Sequence, residues 1–193
     1  ETLFNIPIEI AKENSNLPTM ISFLEMYDVG KVEQLNITNR WKNNDPTKSL
    51  QAPIGVDKNR ELFKLDLHEK FYGPHGLIAG MTGYGKSEFI ITYILSMAIN
   101  YSPDEVSFIL IDYKGGGLAG AFQNKETGMK LPHLAGSITN LDTVEMNRAL
   151  SSIQSELRRR QRIFNDARDA LNESTIDIYK YQRLFREGLV QEP

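Results

Sequence analysis

The sequence contains no cysteine, which excludes disulfides, thiolate metal sites and a cysteine nucleophile together. Such a chain suits a reducing compartment. Long hydrophobic runs are also missing. The longest uncharged stretch with an apolar character, Phe89–Pro103, is shorter than the roughly 20 residues of a membrane helix. It is further broken by Thr92, Ser96, Asn100 and Ser102. Neither sign of charge is in excess: 22 Lys and Arg against 25 Asp and Glu leave −3, which argues against a wholly basic nucleic-acid-binding protein. His75 and His133 each follow a proline, and with no cysteine and no second histidine nearby they make no metal-ligand set. The opening residues, Glu1 to Asn5, lack the basic-then-apolar order of a secretory signal. The first residue is Glu rather than Met and the last, Pro193, follows a charged stretch, so the expectation is a piece of a longer protein.

What is present describes a folded α/β chain. Hydrophobic residues make up 40%, enough for a globular core in one domain, or in one domain with an extension. Residues 1–50 are rich in Asn and read as an N-terminal helical extension or interdomain connector. A helix is expected from Pro18 and Thr19 through Tyr27 with Gly30 as its stop, a second short one over Val32–Leu35, and an apolar and aromatic anchor over Ile37–Trp41. Asn43 to Pro46 reads as a loop. Residues 51–193 form the second unit. Ile54–Val56 and Leu62–Leu67 have strand patterns, and Gly76–Gly80 reads as a short buried strand. Lys86–Asn100 is apolar on nearly every side, as in a helix sandwiched inside a protein, and Val106–Ile111 has the continuous apolar run of a central parallel strand. Thr143–Arg168 is a long amphipathic helix with Met146, Leu150, Ile153, Leu157 and Phe164 on one stripe. Strand, helix, strand, helix implies a parallel sheet flanked by helices.

One motif carries chemistry. Gly80-Met81-Thr82-Gly83-Tyr84-Gly85-Lys86-Ser87 fits G-x-x-x-x-G-K-[ST], between an expected strand and an expected helix. Glycines let the backbone turn tightly and aim N–H groups at phosphate oxygens, and the helix that follows turns its positive dipole end to the same anion. Lys86 then reaches the β- and γ-phosphates of ATP, and the Ser87 hydroxyl ligates magnesium. A chance match of these fixed positions arises in roughly one chain of this length in a hundred. A P-loop that binds without hydrolysing remains an open alternative. Asp112 ends the apolar run Phe108–Ile111 and is the second candidate, either as a magnesium-linked carboxylate or as a positioner of the loop near the nucleotide. Lys114-Gly115-Gly116-Gly117 reads as an anion-binding nest or a flexible turn. The basic stretch Arg158, Arg159, Arg160 and Arg162 reads as a solvated helix face, with a nucleic-acid or subunit interface as the alternative.

The string Gly73-Pro74-His75-Gly76-Leu77-Ile78-Ala79-Gly80, the P-loop and then Ser87-Glu88 resemble the FtsK/SpoIIIE family. Ile111-Asp112-Tyr113-Lys114-Gly115-Gly116-Gly117 narrows the resemblance: DNA-translocating members usually carry Asp-Pro-Lys there, whereas this form is similar to the EssC/EccC ATPases of type VII secretion. Leu131-Pro132-His133-Leu134, Ile138-Thr139-Asn140-Leu141, Arg148-Ala149-Leu150, Glu156 to Arg162 and Tyr181-Gln182-Arg183-Leu184 continue it, and Phe23–Trp41 resembles the connector ahead of the first ATPase module. The resemblance implies a P-loop NTPase fold of the RecA-like, FtsK type, with ATP and Mg held by Gly80 to Glu88. It also implies a hexameric machine at the cytoplasmic face of the membrane that exports small WXG100-type proteins. DNA is the disfavoured partner, and any membrane contact belongs to other parts of the parent. Two departures stand out. Met81 and Tyr84 replace the usual Thr and Ser. In addition, the family's Walker B strand ending in Ser-Asp-Glu, and its arginine finger, fall beyond Pro193. The expectation is therefore the N-terminal part of an ATPase domain, able to bind nucleotide but not to hydrolyse it alone, with an open sheet edge.

Overall fold

The computed structural model describes residues 20–112, 117–139 and 143–192. Pro18 and Thr19, the nest residues Lys114 to Gly116 with Tyr113, and Asn140 and Leu141 lie outside the described residues.

Residues 20–50 form short helices. The first, α1 (Phe23–Met26), starts later than the sequence suggests because Ser22 closes a capping box: its hydroxyl accepts from Glu25 N while the Glu25 carboxylate accepts from Ser22 N at 2.7 Å. It also stops before Gly30, with Asp28 taking the left-handed turn at φ 54°. A 3-10 turn follows at Val32–Leu35, then α2 (Ile37–Asn43). Met26, Tyr27 and Leu35 bury themselves with Ile99, so this segment shares a core with the rest of the chain.

β1 (Gln51–Val56) and β2 (Leu62–Asp66) pair as an antiparallel hairpin, separate from the parallel sheet. β2 ends one residue short of the expected Leu67. There Asp66 turns inward and accepts from Ser49 Oγ at 2.7 Å, Leu50 N at 2.9 Å and His68 N at 3.0 Å.

The helix after the P-loop is α3 (Lys86–Asn100), with the bounds read from the sequence. It is not sandwiched along its whole length. Its fully buried residues, Ile94, Ser96, Met97, Ala98, Ile99 and Asn100, all lie in the C-terminal half. Below it runs β3 (Phe108–Ile111), shorter than expected because Val106 N is held in a turn by Ser102 O at 3.0 Å. After a one-turn helix, α4 (Gly117–Gly120), β4 (Leu134–Ile138) pairs in parallel with β3. Ile94, Leu110, Phe122 and Leu134 make the core between α3 and this sheet. The chain closes with α5 (Thr143–Leu171) and α6 (Ile178–Arg186), joined through Ile163, Ala167 and Tyr181.

Two further expectations fail here. Gly76–Gly80 forms no strand, and Leu77 is 94% exposed. A short parallel strand between glycines is held by layers on both faces. The outward face of β3 is itself open, with Ile109 and Ile111 half exposed, and no described strand ladders with the β3 edge opposite β4. The α5 stripe is likewise largely uncovered: Leu150 and Leu157 face solvent, and the residues fully buried are Ile163 and Ala167. No described helix is long and apolar enough to cross a membrane.

Candidate nucleotide-binding site

The loop Gly80–Ser87 turns through two left-handed residues, Gly83 at φ 84° and Gly85 at φ 82°. An added Cβ at either would meet nothing within 4 Å, so glycine is needed there for its backbone conformation and not for space. Gly85 is also the N-cap of α3, with no side chain over the first turn, and Phe89 N bonds back to its carbonyl at 2.9 Å. The first amides of a helix have no partner within the helix. They and the dipole therefore face outward at the point where the loop delivers them, a ready anion site.

Lys86 folds back into the loop. Its Nζ donates to Gly80 O at 2.6 Å and Met81 O at 2.7 Å, which places a fixed positive charge inside the turn. Gly80 carries the side chain closely, since a Cβ there would lie 3.6 Å from Lys86 Cγ. Thr82, Ser87 and Glu88 are exposed around the same turn, Ser87 with a hydroxyl suited to a hard cation. Met81 and Tyr84 point outward and leave the inner surface of the loop to main chain. This set suits a nucleotide phosphate with its Mg²⁺: amides from Gly83 to Glu88, one ammonium and one hydroxyl. The strand expected ahead of the loop is absent, so the order observed is unladdered segment, loop, helix.

Asp112 sits at the C-terminal end of β3. Its N–H donates to Ile138 O at 2.9 Å, and its Oδ2 accepts from Leu118 N at 3.1 Å. The carboxylate thus holds the start of α4, whose Leu118 packs on the same core cluster as Ile90 and Ile91 in the second turn of α3. Core packing brings α4 and the P-loop helix onto one support.

The other sequence candidates lie apart from this loop. His133 is buried, with Nε2 2.8 Å from Tyr101 O and the Trp41 ring edge-on at 5.7 Å. Arg159 and Arg160 both pair with Glu156 at 2.8 Å, and Arg159 also with Glu192 at 2.8 Å. Those pairs hold the Glu156 carboxyl down at about 2. Arg158 and Arg162 are exposed, with no ion pair among the described residues. The sequence shows Ser96 and Asn100 as polar breaks in an apolar run, but not the buried partners they find at the end of α3. Burial and the Asp66 charge push the Tyr93 phenol up to about 12, and Ser96 and Asn100 bond to Tyr27. The signal for these was available: serine and asparagine in the middle of an apolar helix require buried partners.

Comparison with known proteins places this geometry. The FtsK/SpoIIIE family profile matches residues 35–181. The chain is 48% identical over 186 residues to the type VII secretion system protein EssC of Staphylococcus aureus (strain NCTC 8325 / PS 47), covering 96% of this chain and 12% of that protein. It is 43% identical over 189 residues to the ESX secretion system protein YukB of Bacillus subtilis (strain 168), covering 97% and 12%. Among solved structures, the cytoplasmic domain of the Thermomonospora curvata type VII secretion ATPase EccC aligns with a TM-score of 0.72 at 27% identity, covering 91% of this chain and 20% of that one. ATPases 2 and 3 of the same EccC, in complex with a signal sequence peptide, align at 0.55 and 29% identity, covering 72% and 23%. The chain spans about 12% of the length of the curated relatives it matches.

Proposed function

Because the chain belongs to the FtsK/SpoIIIE family, we propose that it is the nucleotide-binding part of an ATPase module in a type VII secretion motor. The observation that carries this reading is the loop itself: two left-handed glycines, an inward ammonium and an open helix N-terminus in succession. Main-chain amides from Gly83 to Glu88 would hold the β-phosphate, and Lys86 would move from two carbonyls onto phosphate oxygens. The Ser87 hydroxyl would hold the cation. Mg²⁺, when bound, supplies charge neutralisation between the β- and γ-phosphates. Asp112 orients the start of α4 through Leu118. The residues here therefore bind and orient ATP, and hydrolysis requires a base and a charge-stabilising arginine supplied by other parts of the parent or by a neighbouring subunit. A missing arginine finger alone lowers the rate by about 10³–10⁵. In the parent, nucleotide turnover of a hexamer would drive export of WXG100-type proteins from the cytoplasmic face of the membrane.

Titration of a fluorescent ATP analogue with Mg²⁺ onto the 193-residue chain tests the reading. Saturable binding is expected, lost in Lys86→Ala, with no phosphate release above background. Turnover abolished by Lys86→Ala would overturn the division between binding and hydrolysis. Absence of binding would favour a degenerate module that serves as a docking platform. The exposed Arg158 and Arg162 give a DNA translocase its test: salt-dependent DNA binding lost when both are replaced.

A further inference from the structure

α3 begins at the phosphate loop and ends in a clasp. The last carbonyls of a helix have no partner within it. Here residues from ahead of the hairpin supply them. Trp41 Nε1 donates to Ala98 O at 2.9 Å, and Asn44 Nδ2 donates to Asn100 O at 2.9 Å. Arg40 brings positive charge to the same negative dipole end, with Nη1 3.4 Å from Asn100 Oδ1 and its guanidinium 5.0 Å over the Tyr27 ring. Inside the clasp the Ser96 hydroxyl gives its single proton to Pro53 O at 2.5 Å. Tyr27 must then donate to Ser96 Oγ at 2.9 Å, while the Tyr27 oxygen accepts from Asn100 Nδ2 at 3.0 Å. Met26, Tyr27, Leu35 and Ile99 seal this network.

The two ends of α3 are held unequally. Full burial is confined to its C-terminal half, and at the loop end Lys86 to Phe89 are exposed or half-buried. At 1.5 Å per residue the helix is about 22 Å long, so a tilt of about 5° at the clasped end moves the first turn by about 2 Å. A phosphate cradle tolerates about 0.5 Å. We propose that Tyr27, Trp41 and Asn44 are positioning residues for the phosphate loop: by fixing the C-terminal end of α3 they set Lys86 and Ser87 at the other end. Bound nucleotide and the docked segment 27–44 then stabilise each other, because such coupling is reciprocal. The proposal rests on the nucleotide-binding reading above and adds to it a role for residues outside the loop.

The test uses the 193-residue chain, a fluorescent ADP analogue and Mg²⁺. Tyr27→Phe and Trp41→Phe each remove a donor and keep an aromatic ring. Each is expected to weaken ADP binding roughly fivefold or more. In the wild type, ADP should slow amide exchange across residues 26–44, and this protection should vanish in Lys86→Ala. Phe164→Leu, at the α5–α6 contact where Phe164 meets Tyr181 at 5.0 Å, serves as a comparison with lowered stability and an intact clasp. Its ADP affinity should stay within about twofold of wild type. Equal weakening by Phe164→Leu, or unchanged affinity in both clasp variants, overturns the proposal alone. Unaltered exchange over 26–44 in an ADP-saturated wild type overturns it as well, whether or not the variants fold. A wild type that binds no ADP overturns the nucleotide reading and this proposal with it.

Discussion

His133 illustrates how one side chain ties pH to stability. Its ring is 1% exposed; Nε2–H donates to the Tyr101 carbonyl and Nδ1 has no partner among the described residues. Burial lowers its pKa below the ordinary 6.5, with the Tyr101 carbonyl pulling weakly the other way. The unfolded chain therefore takes up the proton first as pH falls. The stability this neutral ring contributes is present above the ordinary pKa and is lost as pH drops through it toward the lower folded value. Urea midpoints are expected to decline between about pH 7 and about pH 5. The decline should be reduced in a variant that replaces His133 with a non-titrating residue of similar size. Glu156 cannot produce the same decline. Its carboxyl is held at about 2, so its contribution disappears only as pH falls below the ordinary 4.5. A midpoint flat from pH 7 to pH 5 would contradict the assignment.

Among the helices, α5 separates periodicity from packing. Its 29 residues carry a regular apolar stripe, yet Leu157 on that stripe is 61% exposed while Ile163, just outside it, is buried against Ala167 and Tyr181. Periodicity reports which residues share a face; which part of that face is covered depends on where β4 and α6 lie. Ile163→Ala is expected to cost about 2–5 kcal/mol, through lost transfer and a residual cavity. Leu157→Ser should stay within about 0.5 kcal/mol. Denaturant unfolding of the two variants side by side checks this, and comparable losses would show that the stripe is covered after all. Other helix limits were accessible from local chemistry. α3 starts where Gly85 allows a left-handed turn and runs to Asn100 as read. α1 differed because the capping box between Ser22 and Glu25 outweighs the apolar spacing that suggested an earlier start.

For the molecule as a whole, a ligand that binds only the folded chain must raise its stability. Mg²⁺ and ATP at 100 times the dissociation constant should add about 2.7 kcal/mol, or roughly 5–11 °C in melting temperature for a domain of this size. A thermal melt of the wild type beside Lys86→Ala, in which the shift should vanish, measures it. The phosphate loop, the helix after it and the acidic end of the following strand were all legible in the residues. They depend on neighbours within a few positions: glycines for left-handed turns, an apolar run for a strand, a lysine six residues from the carbonyl it meets. Contacts across long separations were not legible. The sequence shows a lone tryptophan and a serine inside an apolar helix, but not that Trp41 would cap Ala98 or that Tyr27 would reach Ser96. Nor does it show that Leu77 and Ile78 would remain without a ladder while β3 pairs with β4. The reason is physical. A turn or cap is selected by the conformational energy of adjacent residues, whereas pairing and burial are selected by the sum of contacts that the folded chain brings together. That sum cannot be evaluated one segment at a time.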